Sequence, residues 1–472
     1  MFKLVGAWLR AFDGGRFIAA ELFVVLGAVS CFAKVQSDTW WHLAAGREMV
    51  RTGQVMLTER FSHTAFGAPW ANYEWLSQWI FYQLYNAGGM PLLAAVCALS
   101  LFGACLLAWT LMRGPITERL IILALAVPLL TPSWAMRPQA FTLFLLGLTM
   151  HLVVRERFWP LPVIFLVWAN LHGAVALGLV VLVADFVVAA RGKRNVWPRM
   201  LFGMLSVAAT LLTPLGLTYW PQILHSLERS RVNQIAEWRP PILSAEYAVF
   251  WLVAVVFLWM VVTRWRRLDT PGDRVLTVAS ALLLLLAIRS MRNIGPFAVA
   301  AAPAINRLAW PPGVGGQTSE PSVRLTGPAL RASVLALSLA SGVLFVHHRW
   351  TMSPLPVEWA PVSNEAAAAI RRCPGPVYNH YNDGGYLIWF APEQKVFLDS
   401  RQDPYPAELL RAQLEADRMG DYGALLSRYS VRCAVLHPRS RALSVLEQSG
   451  WREDYRDSRW VVVQPREGAL RR

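Results

Sequence analysis

Apolar runs close to twenty residues long recur from Phe17 to about Val346, and that recurrence limits the fold more than any other feature of the chain. About 20 such residues are what one α-helix needs to cross a hydrocarbon core. A bilayer offers backbone groups no partner, so spanning segments are helices or closed barrels. The runs read as eleven helices near 17–35, 89–112, 119–136, 138–154, 158–169, 172–190, 199–214, 247–263, 274–289, 293–309 and 329–347. No small-residue cleavage site follows the first, so 17–35 is expected to remain as an anchor. Composition agrees: 55% of the 472 residues are hydrophobic, 16% are charged and 22 are tryptophan, the balance of a polytopic helical membrane protein.

Charge gives the orientation. With the N-terminus in the cytoplasm, the inner loops are 1–16, 113–119, 155–157, 191–199, 264–274 and 307–331; they hold 18 Lys/Arg against 6 Asp/Glu. The long outer loops 36–88 and 215–246 hold 6 against 7. This is the positive-inside pattern. It predicts a transmembrane domain over 1–348, with 36–88 as its first outer loop, and an extracytoplasmic domain over 349–472. The pair at 158–190 is the weak point, because WANLHG interrupts two short halves as either a helix–loop–helix or a broken helix. If the pair crosses only once, the tail inverts. From Arg349 onward there are 17 basic and 15 acidic residues, so only +2 of the net +15 lies in the tail. The positive charge therefore orients helices and meets anionic lipid, and a nucleic-acid partner is excluded.

Polar residues of chemical interest gather on the outer side. Asp38 and His42 are four apart and share a face on any helix leaving the membrane, where Trp40 and Trp41 suit an interfacial aromatic belt. A carboxylate there can accept a proton from an attacking hydroxyl, orient His42, or hold a divalent cation with Glu59 or Glu74. The plainer reading is a helix N-cap at Ser37 or Asp38. Arg137 and Gln139 lie in MRPQ, and His172 in WANLHG. Arg289 and Arg292 are three apart, spaced to converge on one anion. Outer-side arginines at membrane boundaries are costly unless paired, and guanidinium forks match phosphate oxygens. The alternative is an internal salt bridge to Asp38, Glu74 or Glu237. His42, His63 and His172 fit no compact zinc-ligand spacing.

In the tail, GPVYNHY, KVFLDS, RCAVLHP and RWVVVQP read as strands, while 406–428 and 440–449 read as helices. The alternation predicts a small α/β domain. Asp383, Gly384 and Gly385 mark a turn. Asp399, Arg401 and Asp403 follow a predicted strand, where ligand-contacting loops tend to lie, so they are candidates to bind acceptor glycan or to dock onto the loop at 36–88 and close the site; the alternative is a turn stapled by a local Asp–Arg pair. Cys31, Cys97 and Cys105 fall in apolar runs as packing residues. Cys373 and Cys433 fall in the part assigned to an oxidising compartment, which allows a disulfide between them. Trp310–Pro328 reads as a Pro/Gly-rich flexible loop. A Walker loop and a dinucleotide fingerprint are both lacking.

The run DTWWHLAAGREMVRTGQVMLTERFSHTAFGAPWANYEWLSQWIFYQLYNAGG resembles the first outer loop of bacterial polytopic glycosyltransferases of the GT-C class. RPQAFTLFLL, WANLHGAVALG and YNDGGYLIWFAPEQKVFLDSRQDPY resemble the later landmarks of one branch of that class. The resemblance implies a sugar taken from a polyprenyl-phosphate or -diphosphate carrier and moved to a glycan, lipid or protein acceptor outside the cytoplasm, in the bacterial inner membrane. It implies that Asp38, at the class's catalytic position, acts as a single base with inversion, with His42 and Glu74 orienting the acceptor. It assigns Arg137, Arg289 and Arg292 to the departing phosphate, with Gln139, His172, Asp399 and Arg401 as further substrate contacts. No Asp-x-Asp or Glu-Asp pair follows Asp38, so no cofactor is required, although a divalent cation is compatible. Two other classes share parts of the pattern: a lipid or polysaccharide transporter or flippase, which more typically has inverted repeats and midplane charge where here the charge gathers at one face, and a non-catalytic scaffold for envelope assembly.

Overall fold

In a computed structural model, the structure describes residues 14–32, 34–232, 236–310, 328–351 and 359–466. The chain forms two compact units. One is built from the described parts of 1–34, 91–213 and 236–355, the other from those of 35–90, 214–235 and 356–472. The expected flexible loop Trp310–Pro328 falls largely outside the described residues, which omit 311–327.

The first unit is helical. Six described helices are long and apolar enough to cross a membrane: Trp75–Leu111, Ile116–Ser133, Gly173–Arg191, Ala245–Arg267, Pro271–Arg289 and Leu330–Trp350. Gln139–Val154 and Leu161–Leu171 are apolar but shorter. Large aliphatic side chains such as Val262, Leu337 and Val343 are two-thirds exposed or more, a surface that suits lipid rather than water. The core is the helix Ile294–Ala309, buried along almost its whole length because GPFAVAAAPA presents small side chains that let neighbouring helices close in. It packs against Pro271–Arg289, Gln139–Val154, Ile116–Ala126 and Ala248–Arg264.

Three helix junctions have local causes, the first of them just before the first unit resumes at Pro91. Trp75–Leu111 is broken at Gly88 and Gly89, where Gly89 adopts φ 66 and ψ −163, a region essentially closed to side-chain-bearing residues. In WANLHG the helix Leu161–Leu171 ends, His172 is extended, one 3-10 turn follows and Ala176–Arg191 resumes. Ser290 repeats the device between Pro271–Arg289 and Ile294–Ala309, again with an extended residue followed by a 3-10 turn. The far ends of the first pair, away from WANLHG, also meet: Glu156, just before it, is 2.6 Å from Arg194, just after it. The two helices therefore run as a hairpin, the first of the two arrangements expected.

The second unit is built on a four-stranded sheet. Its strands are β1 (Val377–Asn379), β2 (Cys433–Leu436), β3 (Trp451–Arg456) and β4 (Val461–Pro465), in the order β1-β2-β4-β3. β1 and β2 are parallel, with Tyr378 opposite Ala434, and the remaining pairs are antiparallel. Alternating residues feed two cores. Val377, Cys433, Val435 and Val462 face one with Trp41, Ala44, Ala45, Met49, Leu387 and Trp460. Tyr378, Ala434, Leu436, Val461 and Val463 face the other with Phe397, Leu398, Tyr405 and Leu409. The helix Ser37–Thr52 thus shares a core with strands more than 300 residues away. Trp40 and Trp41, expected in an aromatic belt, are instead buried: Trp40 packs on Phe390 and Trp41 in the first core.

Three of the expected strands and the expected helices form, as Ala407–Met419, Gly423–Arg428 and Arg441–Gln448. KVFLDS does not form a strand. Its backbone is taken up singly: Val396 N–H donates to Phe61 O at 3.0 Å, and Phe397 N–H to Asn379 Oδ1 at 2.8 Å. β3 was not expected, because WREDYR is a largely exposed edge strand without an apolar alternation. The glycine turn proves to be a helix, Gly384–Phe390, packed on Ser37–Thr52. A Cβ on Gly385 would stand 2.1 Å from the Ser37 carbonyl oxygen, so glycine is what lets the two helices touch. Cys373 and Cys433 form a disulfide, with Cα atoms 5.7 Å apart.

Candidate functional site

In the second unit the helix Ser37–Thr52 is headed by Gln36 as N-cap, whose N–H donates to Thr39 Oγ1 at 3.2 Å. The cap is therefore neither Ser37 nor Asp38. Ser37 Oγ instead accepts the Gly385 N–H at 3.1 Å, which leaves Asp38 in the first turn, where the helix dipole favours a negative charge. Asp38 is half-buried. Its Oδ1 accepts from Trp41 Nε1 at 3.2 Å and from the Ser400 hydroxyl. His42, one turn on, is buried, lies against Trp41 and is 3.7 Å from Glu74. The three residues assigned to catalysis therefore fall in one unit, His42 with Glu74 and Asp38 with Ser400.

Asp399 and Arg401 flank Ser400 and point away from it into a sealed network. Arg401 donates bidentately to Asp399 at 2.8 and 2.5 Å, and its other nitrogen is 2.5 Å from Glu59. Tyr405 Oη donates to Asp399 at 2.5 Å. The Arg401 side chain is 1% exposed. Of the readings of this pair, the arrangement is the stapled turn, with Glu59 added from the loop. His63 donates through Nε2 to the Val377 carbonyl at 3.0 Å, fastening the same loop to β1. Among the described residues no group of three or more His, Cys, Asp or Glu gathers as a metal site.

In the first unit a second cluster forms around Glu237, in the 3-10 turn Ala236–Trp238. Arg137 is 2.6 Å from one carboxylate oxygen and Arg292 is 3.8 Å from the other. Burial alone would raise this carboxyl, but the two guanidiniums outweigh it and hold the pKa down to about 2. Arg292 Nη2 donates to His172 Nε2 at 3.0 Å. That nitrogen must then be the acceptor, so the imidazole proton sits on Nδ1 and is given to Thr142 Oγ1 at 2.7 Å. Thr142 also accepts from Trp168 Nε1 at 2.9 Å. With its amide oxygen turned toward Arg292, Gln139 accepts from Nε at 3.0 Å. Arg137, Gln139, His172 and Arg292 are thus brought together as a cationic cluster around a neutral histidine.

Arg289 does not join them. Three-residue spacing puts side chains on one face only while the helix continues; here the helix ends at Arg289 and Ser290 is extended, so Arg289 is exposed while Arg292 turns inward. Nothing in the sequence singled out Ser400, Thr142 or Trp168 together with these residues; of the salt-bridge alternatives for the arginines, the one to Glu237 is seen for Arg137 and Arg292. Ser400 had one faint signal, as the small polar residue between two opposite charges in DSR. For Glu237 the signal was an acid set among outer-side arginines.

No family model and no curated protein matches the sequence. Solved structures do. The archaeal oligosaccharyltransferase AglB from Archaeoglobus fulgidus, in complex with an inhibitory peptide and a dolichol-phosphate, aligns with a TM-score of 0.59 at 10% identity, over 89% of this chain and 69% of its own. ArnT from Cupriavidus metallidurans, bound to undecaprenyl phosphate, aligns with a TM-score of 0.52 at 15% identity, over 96% and 98%. The arabinofuranosyltransferase AftD from Mycobacteria aligns with a TM-score of 0.51 at 13% identity; this chain is covered over 97% but spans only 40% of that one. At such identities the likeness speaks for fold. The chain is a polytopic α-helical membrane protein with the fold of the GT-C glycosyltransferases.

Proposed function

We propose that this protein is an inverting glycosyltransferase that moves a sugar from a polyprenyl-phosphate or -diphosphate carrier to an acceptor outside the cytoplasm, with Asp38 as the base. The observation that carries the reading is Asp38 itself: a half-buried carboxylate in the first turn of the helix Ser37–Thr52, with one oxygen held by two donors. The fold supports it, as do the polyprenyl phosphates named with two of the similar structures. In the reaction the acceptor hydroxyl gives its proton to Asp38 while its oxygen bonds to the anomeric carbon. The bond from that carbon to the carrier oxygen breaks on the opposite face, and its electron pair leaves with the phosphate. One base suffices, because inversion needs no covalent glycosyl-enzyme.

Arg137 and Arg292 stabilise the charge on the departing phosphate, with Gln139 and His172 fixing the direction of Arg292. Arg289, exposed, is left to the headgroup region. Asp399 and Arg401 support the site without touching substrate. The protein resides in the bacterial inner membrane with eleven spans, and residues 349–472 are extracytoplasmic; the disulfide supports that side.

The test uses purified protein in lipid nanodiscs, a radiolabelled polyprenyl-phosphate-sugar pool extracted from bacterial membranes, and envelope extract as acceptor. Asp38→Asn is expected to abolish transfer with thermal unfolding unchanged. Arg292→Ala is expected to raise the apparent KM for the donor by roughly tenfold or more, the scale of a lost charged hydrogen bond. Wild-type product levels from Asp38→Asn would refute the base.

A further inference from the structure

The stretch Asp399–Ser400–Arg401 divides its side chains between two tasks. Asp399 and Arg401 are buried together with Glu59 and Tyr405. Arg401 N–H closes back onto Asp399 Oδ1 at 3.0 Å, and Tyr381 Oη donates to the Ser400 carbonyl at 3.0 Å. The backbone of Ser400 is therefore clamped on both sides and from above, while its hydroxyl, half-buried, reaches Asp38. Trp41 Nε1 lies 3.2 Å from Asp38 Oδ1 and 3.2 Å from Ser400 Oγ, completing a triangle of donors and acceptor.

We infer that Ser400 is a positioning residue for the transfer reaction, acting with Trp41 to lock the Asp38 carboxylate in one rotation. The inference rests on Asp38 being the base. A carboxylate turns readily about its Cβ–Cγ bond, since terminal torsions of this kind are broad. Two donors converging on Oδ1 from fixed frameworks remove that freedom. Trp41 is held in the apolar core and Ser400 by the ion network. The second oxygen of Asp38 then keeps one direction, which is what proton transfer from an acceptor hydroxyl in the transition state requires. The buried charges of the DSR stretch thereby acquire a functional consequence without meeting substrate: they set the position of the serine between them. A hydroxyl is required at Ser400. Alanine would keep the backbone and lose the donor; threonine would keep both.

The experiment compares Ser400→Ala, Ser400→Thr and Asp38→Asn in the nanodisc assay with the extracted donor pool, measuring kcat, apparent donor KM and unfolding temperature. Ser400→Ala is expected to lower kcat by 10- to 100-fold with KM within twofold and the unfolding temperature unchanged, and Ser400→Thr to restore most of kcat. Wild-type kcat in Ser400→Ala beside an inactive Asp38→Asn overturns this inference alone. So does a loss that appears as raised KM or lowered unfolding temperature and is not rescued by threonine, since that marks a merely structural hydroxyl. Full activity in Asp38→Asn removes the base, and this inference with it.

Discussion

Arg401 is a guanidinium almost wholly out of water, held between two carboxylates and capped by a phenol that donates to one of them. Such a group stays charged because its partners are fixed, and the converse also holds: the carboxylates depend on it. Arg401→Ala leaves Asp399 and Glu59 buried side by side without a cation. The expected cost is about 3–5 kcal/mol, the scale of a broken buried pair, read as a lowered unfolding temperature and denaturation midpoint. A variant as stable as wild type would mean that water reaches the network and screens it. In the sequence DSRQD is polar after an apolar run and leaves three readings standing: ligand contact, docking onto the loop at 36–88, or internal staple; the structure combines the last two, Arg401 pairing with both Asp399 and Glu59. What separates these from ligand contact is burial, and burial here comes from Tyr405 in the same stretch and from Glu59, whose pairing with Arg401 across more than 300 residues has no local signal. The Arg289 and Arg292 pair failed for a different reason: the spacing argument assumes a continuous helix, and one extended serine between them turns the second side chain inward.

At the scale of elements, β1 and β2 run parallel and each delivers a histidine just past its carboxyl end, His380 and His437. His380 is 3.0 Å from Asp417 and His437 is 2.9 Å from Asp383. Burial lowers the pKa of His380, but hydrogen bonding to Asp417 and the charge of Asp383 outweigh it, so the net shift is upward. For His437 the hydrogen bond that its Nε2 donates to Asp383 is the leading cause and again raises it. A histidine whose folded pKa lies above its unfolded value of about 6.5 contributes stability that is complete below the unfolded value and is lost as pH rises through the folded one. These two pairs are therefore expected to lower the unfolding temperature progressively as pH is raised above about 6.5. His380→Gln with His437→Gln should flatten that slope, and an unaltered slope in the double variant would exclude these pairs as its source. Strands β1, β2 and β4 were legible because their apolar runs are bounded by turn residues. KVFLDS carries the same signal but spends its hydrogen bonds on a side chain and a loop, and β3 carries none because an edge strand facing water needs no apolar alternation.

For the whole molecule, the charge rule that sorted the loops by sequence can be tested by which loops touch. Three segments assigned to the inner side meet at Asp273, which is 2.9 Å from Arg113 and 2.6 Å from Arg307. Two more meet through Glu156 and Arg194. Segments assigned to the outer side meet at Glu237, through Arg137 and Arg292, with His172 from the hairpin joining them. Among the described residues no inner-assigned group appears in the outer cluster or the reverse, so the sorting is internally consistent across much of the helical unit. On the proposed topology residues 349–472 lie on the oxidising side, which suits the bond between Cys373 and Cys433, 60 residues apart. Closing a loop of that length is worth about 4 kcal/mol on the chain-entropy account. Protein from intact cells, denatured without reductant, should therefore give no alkylation of these two cysteines, while Cys31, Cys97 and Cys105 react; reduction should expose all five. Cys373→Ser with Cys433→Ser should unfold several degrees lower, and treating wild type with reductant should reproduce that loss. Free thiols at 373 and 433 in the unreduced protein would place these residues on the cytoplasmic side. Transfer outside the cytoplasm by the proposed base would then have to be abandoned, whatever Asp38→Asn does to activity.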